Sequence, residues 1–387
     1  MSLIPKVTIV GAGIAGLTTA LALARKGIAS HILEQAPALE EVGAGLQISP
    51  NAARILADLG LLDALSARWT EPDHIMLASG STLAPLASVP AGETARSRWG
   101  MPYGVLHRAS LQAVLIDAVR QSPLCTLTTG QRIDNAEAAR AIAPSNLLIA
   151  ADGVWSRQRQ AVPGALPARY SGNIAWRFLL PYTSAPAFLN PRTVTAFLGP
   201  HAHLVVYPLA EVEAFNMVAI HAQQEAPPEG WVRKGDALTR SRLAESFTGW
   251  HADIRRIVAE AQNPMAWPLF ECPDGAWTNG KDTVLVGDAA HAMTPFAAQG
   301  AAMAIEDAAL LANRLTGTQE DMGALLRRFE KERRERIAKV RSRGAFNRFA
   351  YHARGPIALG RNLVLSLRKP DQLAGDLDWL YSYRTPA

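Results

Sequence analysis

Residues 7–34 constrain the fold more tightly than any other stretch of the chain. The apolar run Val7-Thr8-Ile9-Val10 reads as a buried strand and is followed by Gly11-Ala12-Gly13-Ile14-Ala15-Gly16. A helix-like run, Leu17 to Lys26, leads to a second apolar run, Ile28 to Leu33, which ends in Glu34. This is the spacing of a βαβ unit that holds a dinucleotide. Gly11 permits the tight turn, Gly13 lets the backbone approach a pyrophosphate, and Gly16 lets helix and strand pack closely. The anion would rest on amides at the helix N-terminus, with Ala15 in its first turn. Glu34, eighteen residues after Gly16, stands near the separation at which an acid accepts hydrogen bonds from ribose hydroxyls.

Later strands converge on the same end of such a sheet. Leu147 to Ala151 stops at Asp152-Gly153, and Thr283 to Val286 runs into Gly287-Asp288. Ligands of open α/β sheets bind at the carboxyl ends of strands. A site drawn from positions 11–16, 34 and 288 therefore implies a long ligand touched from both halves of the chain. FAD, with its ribityl linker, meets that description better than a simple nucleotide. Asp288 alone could instead be a helix N-cap.

Between these strands the pattern changes. Asn173–Leu180, Thr193–Leu198, His203–Tyr207 and Phe215–Ile220 read as strands of an antiparallel sheet. Residues 72–103 suggest further strands and turns, and residues 129–146 at most an abbreviated hairpin. A glycine-bearing loop spans 41–47, and a Pro/Glu-rich loop 225–230. Helices are expected at Ala52–Leu59, Leu111–Arg120, Ala237–Phe247, Ile254–Ala261, Ala301–Leu315 and Asp321–Arg343. The 387 residues contain 49% apolar and 19% charged side chains, enough for a large core. The net charge of +5 is concentrated in Arg327–Arg343. No aromatic pattern of a nucleic-acid binder accompanies it, so this run reads as a solvated helix face. Two cysteines, Cys125 and Cys272, suit a reducing compartment and exclude a cysteine metal site or disulfide framework. No bilayer-spanning apolar run and no leader pattern are visible. The expectation is a cytoplasmic protein without a membrane or nucleic-acid partner, monomeric or homodimeric.

GAGIAG at 11–16, GAGLQISPNAARIL at 43–56, HRASL at 107–111, ADGVWSRQR at 151–159 and GDAAHAMTPFAAQGAAMAIEDA at 287–308 occur in one order. That order resembles the single-component flavin monooxygenases that hydroxylate phenolic aromatics, which share the p-hydroxybenzoate hydroxylase fold. The nearest flavour is the salicylate hydroxylase and 6-hydroxynicotinate 3-monooxygenase branch. The resemblance runs from about Lys6 to Arg343. It implies a Rossmann-like FAD-binding domain (1–72, 104–168 and 268–345), an inserted antiparallel β-sheet substrate domain (73–103 and 169–267) and a C-terminal helical tail (346–387). The tail carries no functional signature.

The resemblance also assigns roles. Glu34 and Gln35 would bind the adenosine ribose, and Arg108 the pyrophosphate or ribityl region. Asp152 and Arg159 would serve both FAD and the nicotinamide, and Asp288 the ribityl chain. Pro295, Gln299, Gly300 and Ala301 would lie along the isoalloxazine, with Pro295 at the reacting centre. The implied reaction takes NADH or NADPH as reductant and O2 as co-substrate. It passes through a flavin C4a-hydroperoxide to a hydroxylated ring.

His203 and Tyr207, four apart on one strand, share a sheet face. They align with a histidine and tyrosine of the hydroxynicotinate branch, where His203 would hydrogen-bond the ring hydroxyl or carboxylate. A structural histidine and a core tyrosine are the alternative. Gln47 stands where that branch carries histidine, which argues against a pyridine substrate. Arg177 is a candidate cation for an aromatic carboxylate. Phe296, Trp176 and Trp267 are candidate aromatic walls, and His291 is expected to pack near the flavin. His201 and His203 lack an evident third metal ligand. A flavoprotein of another class, dehydrogenase or halogenase, and a non-catalytic FAD or ligand binder are the competing readings. No WxWxIP halogenase stretch is present.

Overall fold

The computed structural model describes residues 6–38, 45–225, 233–234, 237–316 and 320–386. Most of the expected 41–47 loop and of the 225–230 loop therefore lies outside the described residues. In chain order the first half forms β1 (Val7–Val10), α1 (Ile14–Arg25), β2 (Ser30–Leu33), β3 (Gly45–Ile48), α2 (Pro50–Asp58), α3 (Leu62–Ser66), β4 (His74–Ser79), β5 (Pro85–Pro90), α4 (Glu93–Trp99), β6 (Gly104–His107), α5 (Arg108–Gln121), β7 (Cys125–Thr128), α6 (Ala136–Ile142) and β8 (Leu147–Ala150). The middle supplies β9 (Arg169–Pro181), β10 (Thr193–Gly199), β11 (Ala202–Leu209), β12 (Ala214–Ala222), β13 (Arg233–Lys234), α7 (Ala237–Ser246), α8 (Ala252–Ala259) and β14 (Met265–Glu271). β15 (Thr283–Leu285), α9 (Asp288–His291), α10 (Gly300–Arg314) and α11 (Met322–Tyr351) follow. The chain ends with α12 (Gly355–Leu367), α13 (Pro370–Gly375) and α14 (Asp378–Tyr381).

Two large sheets divide the work. The first is parallel, in the order β15-β8-β1-β2-β7. β1 is central and buried along its whole length, as expected when helices cover both faces. α1 packs on it through Leu17 and Leu23, both fully buried, each contributing about 1.5–3 kcal/mol. A Cβ at Gly16 would stand 1.9 Å from the Gly11 carbonyl oxygen, and one at Gly11 2.5 Å from that of Ala151. Only glycine permits this approach of helix, turn and neighbouring strand end.

The second sheet has the order β13-β14-β9-β12-β11-β10-β4-β5. It holds a separate core around Trp176, Phe197, Phe247 and Trp250. All four strands expected between 173 and 220 are present, each slightly longer than the apolar runs indicate. The sheet is not wholly antiparallel, because β10 and β4 pair in parallel, Thr193 to His74 through Leu198 to Ser79. Parallel pairing needs a long crossover, here more than a hundred residues, which no local pattern announces.

Residues 129–146 hold α6 rather than a short hairpin, with the Asn135 side chain capping the Ala138 amide at 2.8 Å. α11 continues to Tyr351, past the expected end at Arg343. The basic run is not a solvated face throughout: Arg333 is fully buried and Arg336 nearly so. Their partners are Glu306 and Asp307 on α10, 26 to 30 residues upstream and invisible to a local reading. The described residues contain no helix long and apolar enough to cross a membrane.

Candidate active site

A cleft at the carboxyl end of the parallel sheet collects residues from the whole chain. Gly13, Ala15, Arg108, Asp288, Gly300 and Ala301 line it, together with Gln47, Pro295, Arg177 and Tyr207. Helix α1 enters with Gly13 as N-cap, without a side-chain cap and without an acid in its first turn. The N-terminus of α10 is likewise uncapped and free of acids. Both ends leave amides and a positive dipole for an anionic or electron-rich ligand. A Cβ at Gly13 or Gly300 would meet no protein atom within 4 Å. The space beside both glycines is open cleft rather than packing.

Other predicted residues sit behind the cleft. The Glu34 carboxylate accepts hydrogen bonds from the amides of Ala12 (2.7 Å) and Ala36 (2.8 Å), which fixes it beside the glycine turn. Gln35 is exposed and lines neither cavity described here. Asp152 accepts from the amides of Arg157 and Gln158 through Oδ2, while its buried Oδ1 has no partner. Burial raises its pKa, against the hydrogen bonds that lower it. Arg159 is buried, and its guanidinium donates to the carbonyls of Ala289 and Val154 and to Cys272 Sγ. It is a strut between two loops and does not face the cleft. Gln299 is also turned inward, bonded to Ser49 and Asn51.

That inward network explains how the Gly287-Asp288 turn is held. Asn51 Nδ2 donates to Glu306 at 2.7 Å, and Glu306 pairs with Arg333 (2.8 Å) and Arg336 (2.9 Å). Asp307 joins Arg333 Nε (2.6 Å), His291 Nε2 (2.6 Å) and the amide of Gly287 (2.8 Å). Burial opposes ionisation of Asp307, yet His291 and Arg333 hold its pKa below the ordinary value. Asp288 thus projects, exposed, into the cleft from an anchored turn.

A second cavity, about 410 Å³ and mostly apolar in its walls, adjoins the first. Gln47, Val205, Pro295 and Ala298 border both. His203 and Phe296 face this second space, and Tyr207 and Arg177 the first. The strand parity of His203, Val205 and Tyr207 thus strings three side chains of β11 along the junction. Tyr207 packs against β3, where a Cβ on Gly45 would fall 2.5 Å from its ring. Burial raises the Tyr207 hydroxyl well above its ordinary pKa, against the pull of Arg177. The half-buried Arg177 lies 5.7 Å from the Trp267 ring centroid, and its Nε is unpartnered. Trp176 lies in the second core, donating to His221, and not in either cavity. The Tyr103 hydroxyl donates to Gln47 Oε1, so the Gln47 amide nitrogen is what remains for a ligand. Ala298 holds φ +51°, a left-handed conformation that costs a non-glycine residue roughly 1 kcal/mol or more and is characteristic of functional turns.

The largest contribution that sequence reading missed comes from the tail. Tyr351, Ile357, Val364, Leu377, Leu380 and Tyr381 complete the second cavity. Arg336 donates to the carbonyls of Trp379 and Leu380, and Asp378 accepts from Arg98 and from Trp99 Nε1, so the chain end is clamped over the site. The apolar residues at helical spacing in 355–367 were the available signal.

A cleft with two uncapped helix ends thus opens on an apolar cavity, an arrangement suited to a dinucleotide beside a small ring compound. Residues 5–343 match the family model described as FAD binding domain. The chain is 34% identical to 3-hydroxybenzoate 6-hydroxylase 1 of Aquipseudomonas alcaligenes, with 98% of each chain covered. It is 36% identical to a 3-amino-4-hydroxybenzoate 2-monooxygenase of Streptomyces platensis, covering 90% of this chain and 89% of that one. In fold it is similar to a salicylate hydroxylase substrate complex (TM-score 0.79, 21% identity, 99% and 98% covered). It is similar also to Klebsiella pneumoniae HpxO complexed with FAD and uric acid (TM-score 0.79, 23% identity, 96% and 95% covered). The chain belongs to the FAD-dependent aromatic hydroxylases, which use NAD(P)H and O2.

Proposed function

We propose that this hydroxylase acts on a small phenolic aromatic acid, held in the second cavity with its ring at the Pro295–Ala298 border. The observation that carries this reading is the junction itself: one residue set borders both the nucleotide cleft and a ring-sized apolar space containing His203. The parallel sheet with its glycine turns then serves the cofactor, and the mixed sheet with the tail serves the substrate.

The cleft fits FAD. Amides at the ends of α1 and α10 would receive its pyrophosphate and ring, Glu34 its ribose, and Asp288 its polyol linker. When bound, the flavin supplies reduction by NAD(P)H and activation of O2. The chain's own residues do the rest. Phe296 and the tail's buried Leu377, Leu380 and Tyr381 shield the inner part of the cavity from water, which limits loss of the activated oxygen. Gln47 and Tyr103 form a polar edge at which a carboxylate or ring hydroxyl can be oriented. His203 lines the cavity with an imidazole that can accept the ring-hydroxyl proton, whereas the cavity's carboxylate, Asp376, is paired with Arg368. Burial lowers its pKa well below the ordinary value, and His352 adds to this, so it rests neutral with one ring nitrogen bare to accept. Arg177, in the flavin cleft, would oppose charge at the ring edge of the cofactor.

The relatives' names make 3-hydroxybenzoate and 3-amino-4-hydroxybenzoate the first compounds to test. A panel of phenolic acids should contain at least one that stimulates NAD(P)H oxidation and yields hydroxylated product matching the oxygen consumed. Oxidation that ends only in peroxide for every acid would refute the assignment.

A further inference from the structure

His203 shares a hydrogen bond with a second histidine, at the end of α11 and outside the span of the FAD-binding family model. Its Nδ1 is 2.9 Å from Nε2 of His352, the C-cap of α11. His352 does not line the cavity, although Tyr351 and Ala353 on either side of it do. The two rings are held by packing: Phe296 lies 5.2 Å from His203 and 5.5 Å from His352, and Tyr351 lies 5.3 Å from His203. His203 is sealed at 1% exposure, whereas His352 is only partly buried. The remaining ring nitrogens, Nε2 of His203 and Nδ1 of His352, have no hydrogen-bond partner among the described residues; His203 lines the cavity and His352 is partly exposed. The dyad therefore spans the wall from the cavity toward the outside.

Its surroundings keep it neutral. Burial lowers the pKa of His352 to about 4, with Arg348, His201 and His221 acting in the same sense. His201 is itself bonded to Arg354, and His221 receives the Trp176 indole. No carboxylate is among these neighbours, so an imidazolium would have no counter-charge.

We propose that His352 is the positioning residue of His203 and the exit for the substrate's phenolic proton; this rests on the phenol-hydroxylase reading. One proton lies between two neutral imidazoles, and it fixes both tautomers. Before reaction His203 donates from Nδ1 to His352, which leaves His203 Nε2 bare toward the cavity. The phenol O–H bond breaks as Nε2 takes the proton. The Nδ1 proton of His203 passes to Nε2 of His352, and His352 releases its Nδ1 proton to water. The dyad ends neutral with both tautomers exchanged, the substrate is a phenolate, and one proton has left. His203 now donates from Nε2 to the phenolate oxygen, stabilising it.

The test mixes FAD-loaded enzyme with 3-hydroxybenzoate, and separately with 3-amino-4-hydroxybenzoate, in weak buffer containing a pH indicator. The ultraviolet phenolate band is followed alongside the dye. Wild-type enzyme should show phenolate formation and matching proton release. His352→Gln retains a hydrogen bond to His203 but cannot take up and pass on a proton, so release should slow by about ten-fold or more. Affinity for the probe should stay within about three-fold, since the cavity wall is unchanged. His352→Ala should behave alike and regain speed with added imidazole. Wild-type release rates in both variants would overturn the relay; should the alanine variant fail to hold FAD, the glutamine variant decides. A wild-type enzyme that binds neither probe as phenolate, with no acid in the panel hydroxylated, would overturn the hydroxylase reading and the relay with it.

Discussion

Replacing Arg333 with alanine removes the centre of the network behind the Gly287-Asp288 turn. The side chain is fully buried and makes three sets of contacts: Nε to Asp307 at 2.6 Å, one terminal nitrogen to Glu306 at 2.8 Å, and the other to the Met303 carbonyl at 3.1 Å. Glu306 would keep Arg336 and Asn51, and Asp307 would keep His291 and the Gly287 amide. Asp307 Oδ1 would be left buried without a partner, beside a cavity of side-chain size. Breaking a buried pair in this way costs about 3–5 kcal/mol. For 387 residues the unfolding entropy near 60 °C is about 0.8 kcal/mol/K, so the melting temperature should fall by roughly 4–6 °C. Flavin retention should fall as well, because Asp288 projects from the same turn. The assay is a thermal melt with intrinsic flavin fluorescence, with Lys339→Ala, an exposed position on the same helix, as the control. Arg333→Lys keeps the charge but not the fork and should fall between. An Arg333→Ala melt within a degree of the parent, with full flavin content, would refute the account of the network.

Gly13→Ala should fold normally, its Cβ meeting no protein atom, yet purify with little FAD, whereas Gly16→Ala should lose stability and FAD together; equal behaviour of the two would contradict the cradle. Asp288→Ala removes an exposed side chain without a protein partner, so apoprotein stability should not change, while FAD affinity falls by about 1.5–3 kcal/mol, read by titration of apoprotein. His352 has a folded pKa of about 4 against an ordinary 6.5. The unfolded chain therefore binds more protons between these values, and stability should be full above pH 6.5 and decline as pH falls toward 4. His352→Gln should flatten that part of the melting-temperature profile. Deleting residues 376–387 removes Asp378, Leu380 and Tyr381 and opens the second cavity, so NAD(P)H oxidation should shift from product toward peroxide, measured as the ratio of the two.

What the sequence made legible follows from the range of the forces involved. The glycine turn at 11–16, the strand ends at Asp152 and Asp288 and the four strands of residues 173–220 are written in local pattern, because sterics and alternation act over a few residues. The β10–β4 pairing, the Arg333–Glu306–Asp307 network and the His203–His352 contact join positions separated by tens to more than a hundred residues. Nothing nearby marks them. The basic run is the instructive case: arginines at helical spacing look solvated until two acids on another helix remove them from water. Gln299 shows the limit of motif matching, since it sits within the resemblance yet faces Ser49 rather than the cleft. Arg177 shows a related limit, since it faces the nucleotide side of the junction and not the cavity of His203.

The clamped tail has an evolutionary consequence. The FAD-binding family model ends at residue 343, and half of the lining of the second cavity comes after it. Changes in 346–381 can reshape the ring pocket without disturbing a single glycine of the nucleotide cradle. Substitution in the tail can therefore vary the second cavity while the glycine turn at 11–16 stays as it is, the other half of the lining, Gln47 and His203 included, coming from before residue 343.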